Sequence, residues 1–241
     1  MKNENSLGLL ALGIFLAAGI AISGYFIGQT MYNAKVALNT AEAKGLAERR
    51  VKADRANWKL TFSVTGKSRD EISSLYEKSE ENQQIIIGLL KENGFKQEEI
   101  EIGIIDYNYR EYRDDNQKLV DQEHQLIGSI SVETNKVDLV SKARANVSKL
   151  IAQGINISSG EPAYRFTKLN DIKPDMLREA TTNSRIAANE FAASAGVSVG
   201  GIRNARQGSF YIRDAGEEYG DTGKIEKDVR VVTTITFFLV D

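Results

Sequence analysis

The sequence predicts an α+β fold: a mainly antiparallel sheet with three helices packed on it, preceded by one N-terminal transmembrane helix. Three observations lead there. No residue between Glu4 and Lys35 carries a charge, and Leu7 to Ile27 is almost continuously apolar. Beyond it, apolar residues recur at every second position, as in Trp58, Leu60, Phe62 and Val64, the mark of strands with one wet face. Between such runs lie three segments with helical spacing, closed by Gly94, Gly154 and Gly196. Hairpins interrupt the alternation of strand and helix, so the pairing should be mainly antiparallel.

The apolar leader spans roughly 30 Å as a helix, about the hydrocarbon thickness of a bilayer. It has no polar face at any helical spacing, which argues against a buried core helix. The alternative is a cleaved signal peptide, with Ala21-Ile22-Ser23 as a small-x-small site. The run is longer than the about 7–15 apolar residues of such peptides, and its basic flank is only Lys2 and the terminal amine. Length therefore favours an uncleaved anchor over residues 1–34, with one α+β domain over 35–241. Lys2 on one side and Lys35 and Lys44 on the other leave orientation undecided by charge. Gly24 and Gly28 fit the small-xxx-small spacing of closely approaching membrane helices.

Asn33 to Ala43 reads as a juxtamembrane stalk running into a short strand that ends near Gly45. Ala56 to Thr65 is a strand, ended by Gly66. Ser68 with Glu71 three residues on forms a capping box, so a helix starts there. Ile72, Leu75, Ser79, Ile86 and Leu90 hold its stripe, which thins at Asn82 and Gln83; partial burial is expected in the middle. Ile100, Ile102 and Ile104 open a strand that runs toward Tyr112. Arg113 to Gln117 turns the chain, and Leu126, Gly128, Ile130 and Val132 return it as a hairpin.

Val137, Val140, Val147, Leu150 and Ile151 make the second helix. Ile155 and Ile157 begin a strand that Ser158 to Pro162 breaks and Tyr164, Phe166 and Leu169 continue. Pro174 should open the third helix, where a missing N–H costs nothing. Leu177, Ala180, Ser184, Ala187, Ala188, Phe191 and Ala195 form its inward stripe, with Phe191 as main anchor. Arg178, Thr182, Arg185 and Asn189 face away. Val199 to Ile212 is extended, with Gly200-Gly201 and Gly208 marking a bulge or bend. Asp214 to Lys227 is a polar loop. Val229 to Val240 is β-branched and apolar on nearly both parities, hence central in the sheet.

Composition narrows the functions available. Apolar residues make up 41% and charged residues 27%, an ordinary globular balance, and the net charge is −2. That balance provides no clustered basic face, so no nucleic-acid partner is expected. With no cysteine there are no thiolate metal sites, disulfides or cysteine nucleophiles. His124 lies in phase with Leu126 and Ile130 and lacks a Gly-x-Ser-x-Gly elbow to serve; it reads as a partly exposed strand-end residue. Asp114-Asp115-Asn116 and the acids from Asp214 to Asp221 lack the spacing that wraps calcium and read as solvated loops. Arg203, Arg206 and Arg213 around Phe210 and Tyr211 are only faintly like a single-strand-binding surface. No catalytic, cofactor-binding or metal-ligating set is assigned, and no cofactor is expected.

Three blocks carry a family resemblance: KGLAERRVKADRANWKLTFSVTG at Lys44–Gly66, FTKLNDIKPDMLREATTNSRIAANEFA at Phe166–Ala192 and VRVVTTITFFL at Val229–Leu239. In this order they resemble the SIMPL-domain family of bacterial envelope proteins, and the membrane-anchored branch in particular. The resemblance implies an exported α+β domain that self-associates and is linked to oxidative or envelope stress, with no catalytic residues to carry over. It also implies a cytoplasmic N-terminus, with the domain on the periplasmic side of the inner membrane. The expectation is thus a membrane-tethered, non-enzymatic homo-oligomer. A periplasmic small-molecule or peptide binder, with its ligand between the third helix and the sheet, is the second reading, and an unrecognised hydrolase the third.

Overall fold

The structure, a computed structural model, describes residues 4–36 and 39–240. It divides into two compact units: Met1–Ala47, Asp175–Ser209 and Val231–Asp241 form the first, Glu48–Pro174 and Phe210–Arg230 the second. The α+β class holds, with antiparallel pairing and, among the described residues, four α-helices. The strands are divided between two sheets.

In the second unit, β2 (Arg55–Gly66) and β5 (Leu119–Thr134) are the inner pair, antiparallel from Ala56 opposite Thr134 to Gly66 opposite His124. Each has an interrupted outer neighbour. β3 (Ile100–Ile102) and β4 (Asp106–Arg113) both pair with β5. β6 (Asn156–Ser159) and β7 (Ala163–Arg165) both pair with β2. The even residues Ala56, Trp58, Leu60 and Phe62 are buried against Ile86, Leu90, Val140 and Val147. Those come from α2 (Ile72–Glu92) and α3 (Val137–Val147). Trp58 keeps its polar atom satisfied by donating to Ser159 Oγ at 3.0 Å and Gly160 O at 3.1 Å, which fixes the break between β6 and β7.

Local signals in this unit act as the sequence indicates. Ser68 caps a 3₁₀ turn that leads into α2, and Gly94 and Gly154 take the left-handed conformation that ends a helix without steric cost. Some expectations fail. Asn82 and Gln83 are buried along with Ser79, so α2 is covered through its middle. The strand expected from Ile100 toward Tyr112 is broken after Ile102, and Ile102 and Ile104 are exposed. Ile151 is exposed too, because α3 tightens into a 3₁₀ turn over Ser148–Gln153 and rotates it outward.

The first unit contains α1 (Glu4–Val36). It also takes residues 40–47 of β1 (Thr40–Lys52) and residues 175–195 of α4 (Leu169–Ala195). The whole of β8 (Ser198–Gln207) and residues 231–240 of β10 (Glu226–Val240) complete it. β10 lies between β1 and β8, as its apolar composition indicates. Its opposite end pairs with β9 (Tyr211–Asp214). β8 shifts register against β10 around Phe237, where Gly200 and Gly201 fall.

α4 buries Met176, Ala180, Ser184, Ala188 and Ala192, one residue in every four. Such a stripe runs along one side of a helix, and its small residues allow close approach. Ser184 Oγ donates to Ala43 O at 2.9 Å and Asn183 Nδ2 to Leu46 O at 2.8 Å. A Cβ on Gly45 would lie 1.8 Å from Ala180 O. Gly45 is therefore a mid-strand contact, and β1 continues to Lys52 instead of ending there. Phe191 is not an anchor: it is 59% exposed, beside the stripe. Pro174 does not open α4 either, since the helix begins five residues earlier at Leu169.

Candidate functional site

Two features of the first unit present themselves to other molecules. Helix α1 offers an apolar span from Gly8 to Ala34, 27 residues with mean hydropathy 2.2 and none of it covered by the rest of the described protein. Leu9, Phe15, Leu16, Tyr25 and Phe26 are each more than half exposed, an arrangement that water opposes and a lipid phase satisfies. Nothing stands within 4 Å of a Cβ added to Gly24 or Gly28, so that side of the helix is open.

The second feature is an edge. β8 ends the strand order of its sheet, and its other side has no neighbour among the described strands. Arg203, Asn204, Ala205, Arg206 and Gln207 are all exposed. The regular part, Asn204 to Gln207, pairs in simple register with Thr236 to Thr233 and leaves its outer N–H and C=O groups for another strand. On the sheet face away from α4, Glu42, Lys44, Asn204, Arg206, Thr234 and Thr236 line a shallow polar groove of about 260 Å³. It has charges of both signs and no apolar floor.

The cluster around Glu99 in the second unit is internally satisfied. Glu99 accepts from Lys136 Nζ at 2.8 Å, Thr134 Oγ1 at 2.5 Å and Lys96 N–H at 2.8 Å. Burial pushes its carboxyl up, but these donors outweigh burial and hold the pKa at about 2. The adjoining cleft, about 400 Å³, is lined by Arg55, Lys96, Glu98, Glu133 and Lys136. Arg55 is paired with Glu133 and Lys96 with Glu98, unlike the apolar pocket with a few convergent polar groups that small ligands favour.

His124 is placed differently from expectation. It is buried, covered by Tyr107 and Tyr109 of β4, which pair beside it and supply an aromatic wall. Its Nδ1 shares a 2.7 Å hydrogen bond with Tyr107 Oη, a phenol where a hydrolase triad would have a carboxylate. Its Nε2 has no hydrogen-bond partner among the described residues.

The acidic stretches are structural. Asp114 Oδ1 accepts from the N–H groups of Asn116 and Lys118 and so folds the β4–β5 turn. Asp214 is buried, not solvated: it accepts from Lys227 Nζ and from the N–H groups of Gly223 and Lys224. Lys227 Nζ also donates to Asp221 O at 2.8 Å, and its ammonium holds the centre of the loop where an acidic sequence would suggest a bound cation. Among the described residues no group of three or more His, Asp or Glu converges for a metal. The Asp214–Lys227 pairing was missed because alternation marks the faces of strands but says nothing of a lysine folding back on its own loop.

Comparison with known proteins bears on the chain as a whole. Residues 42–237 match the SIMPL family, described as protein of unknown function (DUF541). No curated protein matches. Among solved structures, one described as an aminohydrolase from methicillin-resistant Staphylococcus aureus aligns at 11% identity with TM-score 0.26, over 59% of this chain and 39% of that one. The chain thus spans well under half of that structure. A hydrolase from Listeria innocua aligns at 11% identity with TM-score 0.17, over 80% of this chain and 91% of that one. Likenesses this loose carry no argument about chemistry. The family match takes in almost all of the chain beyond its apolar helix, and the chain belongs to the SIMPL family.

Proposed function

We propose that this is a single-pass bacterial inner-membrane protein that holds its SIMPL domain in the periplasm and acts without catalysis, by assembling with copies of itself. The observation that carries this reading is the uncovered apolar span Gly8–Ala34. Tethering confines copies to two dimensions and raises their effective concentration, so a weak contact becomes sufficient. The open backbone of β8 from Asn204 to Gln207 is the contact, joined strand to strand, and Gly24 and Gly28 let the membrane helices approach behind it. Protection against oxidative or envelope stress is the role such an assembly would serve.

The chain has no cysteine, so a single introduced one reports unambiguously. In membranes of cells producing the full chain, Ala205→Cys should yield a disulfide-linked dimer on mild oxidation, and Thr182→Cys should not. Protease added to spheroplasts should remove the folded domain. A monomer by light scattering in detergent, with no cross-linked species in membranes, would sink the assembly reading; a protected domain would sink the orientation.

A further inference from the structure

The distance the chain can cover between α1 and the sheet constrains where the sheet lies. Helix α1 ends at Val36, and Asn39 O accepts from Leu239 N–H at 2.9 Å, tying the end of β10 to that point. Three residues reach at most about 10 Å, so this end of the sheet cannot stand far from the end of α1. The apolar span of α1 runs to Ala34, two residues before the helix stops. Tyr32, exposed near its end, is the kind of residue found at the level of lipid headgroups.

Two of the unit's exposed apolar side chains, Phe191 and Val240, lie at this same end. Ala180 approaches Gly45 and Ser184 bonds to Ala43, so α4 runs antiparallel to β1. Seven residues beyond Ser184 advance the helix about 10 Å, which brings Phe191 level with the start of β1. There the helix turns at Gly196, where Val197 N–H donates to Ala192 O at 3.0 Å. β8 then begins with Ser198 opposite Val240. Phe191 is 59% exposed and Val240 45%. Phe191 is no part of the cluster that α4 forms with the sheet through Ala187 and Ala188, and its exposed ring calls for another neighbour.

We infer that this end of the first unit, around Phe191 and Val240, rests in the interfacial layer of the same bilayer that α1 spans. The occupant is the lipid headgroup and upper acyl region, which takes aromatic and aliphatic side chains together with polar backbone. The inference rests on the membrane reading of α1, and the experiment separates the two.

Full-length single-cysteine variants Phe191→Cys, Val240→Cys, Thr182→Cys and Leu16→Cys carry an environment-sensitive fluorophore. They are reconstituted in vesicles of phosphatidylethanolamine with a minority of phosphatidylglycerol, with and without a spin-labelled quencher lipid. Thr182 is exposed on α4 and lies about 13 Å along the helix from Phe191. Labels at 191 and 240 should show blue-shifted emission and lose intensity to the quencher lipid, as the label at 16 does, while the label at 182 stays water-like. Water-like emission at 191 with quenching at 16 overturns the inference and leaves the anchor standing. Water-like emission at 16 removes both. A blue shift at 191 that responds to a quencher-labelled second copy and not to quencher lipid overturns the inference in favour of a protein contact.

Discussion

Lys227 has no exposed surface, and its ammonium is held by the Asp214 carboxylate and the Asp221 carbonyl. Burial pushes the Asp214 carboxyl up, but the donors facing it prevail and hold it below the ordinary carboxylate range. Removing one member of such a pair strands the other charge, at a cost of about 3–5 kcal/mol. Lys227→Met should therefore lower the denaturant midpoint strongly, and adding Asp214→Leu should recover much of the loss; a Lys227→Met protein as stable as the parent would refute the pairing. Glu99 makes a pH-dependent contribution. Its folded pKa of about 2 lies below the ordinary 4.5, so the stabilisation is fully present above pH 4.5 and is lost as pH falls toward 2. It amounts to at most about 3 kcal/mol at neutral pH. Glu99→Gln should be destabilised at pH 7 and converge on the parent across that acid window; a difference that stays constant with pH would exclude this role.

At the level of elements, the packing of α4 on β1 depends on the missing side chain of Gly45. A Cβ there would meet Ala180 O at 1.8 Å and Ser184 N at 2.4 Å, and both are backbone atoms that cannot rotate away. Gly45→Ala should lower stability by about 1–3 kcal/mol or more, as overpacking does, while Gly201→Ala, with open space at its Cβ, should not. Equal melting temperatures for the two would refute the close approach. The same glycine shows what was legible in the sequence. Alternation identifies β2 and β5, a β-branched run apolar on nearly both parities identifies β10, and Ser68, Gly94, Gly154 and Gly196 mark helix ends, because those signals are local. A glycine that serves a helix more than a hundred residues away looks the same, in one dimension, as one that ends a strand. Phe191 misleads for a related reason: helical spacing places a side chain on an arc but does not say how narrow a buried face Ala180, Ser184, Ala188 and Ala192 make. His124 reads as partly exposed because Tyr107 and Tyr109, which cover it, belong to another strand.

For the whole molecule, the α+β class, the apolar leader and the family were readable from the sequence, since each depends on composition or on blocks of residues in order. The division into two units was not. β1, α4 and β10 each contribute residues to both units, so no linker or compositional break falls at a boundary. β1 follows directly on α1, yet its partner is β10, with Arg50 bonded to Asp228 across 178 positions at 2.9 Å. Pairing between segments so distant in sequence is slow to form. As the chain is synthesised from its N-terminus, β1 must wait, unzipped, until nearly all the rest has been made. For the length of that wait β1 is a ribbon with its backbone bare, open to pairing with the wrong strand.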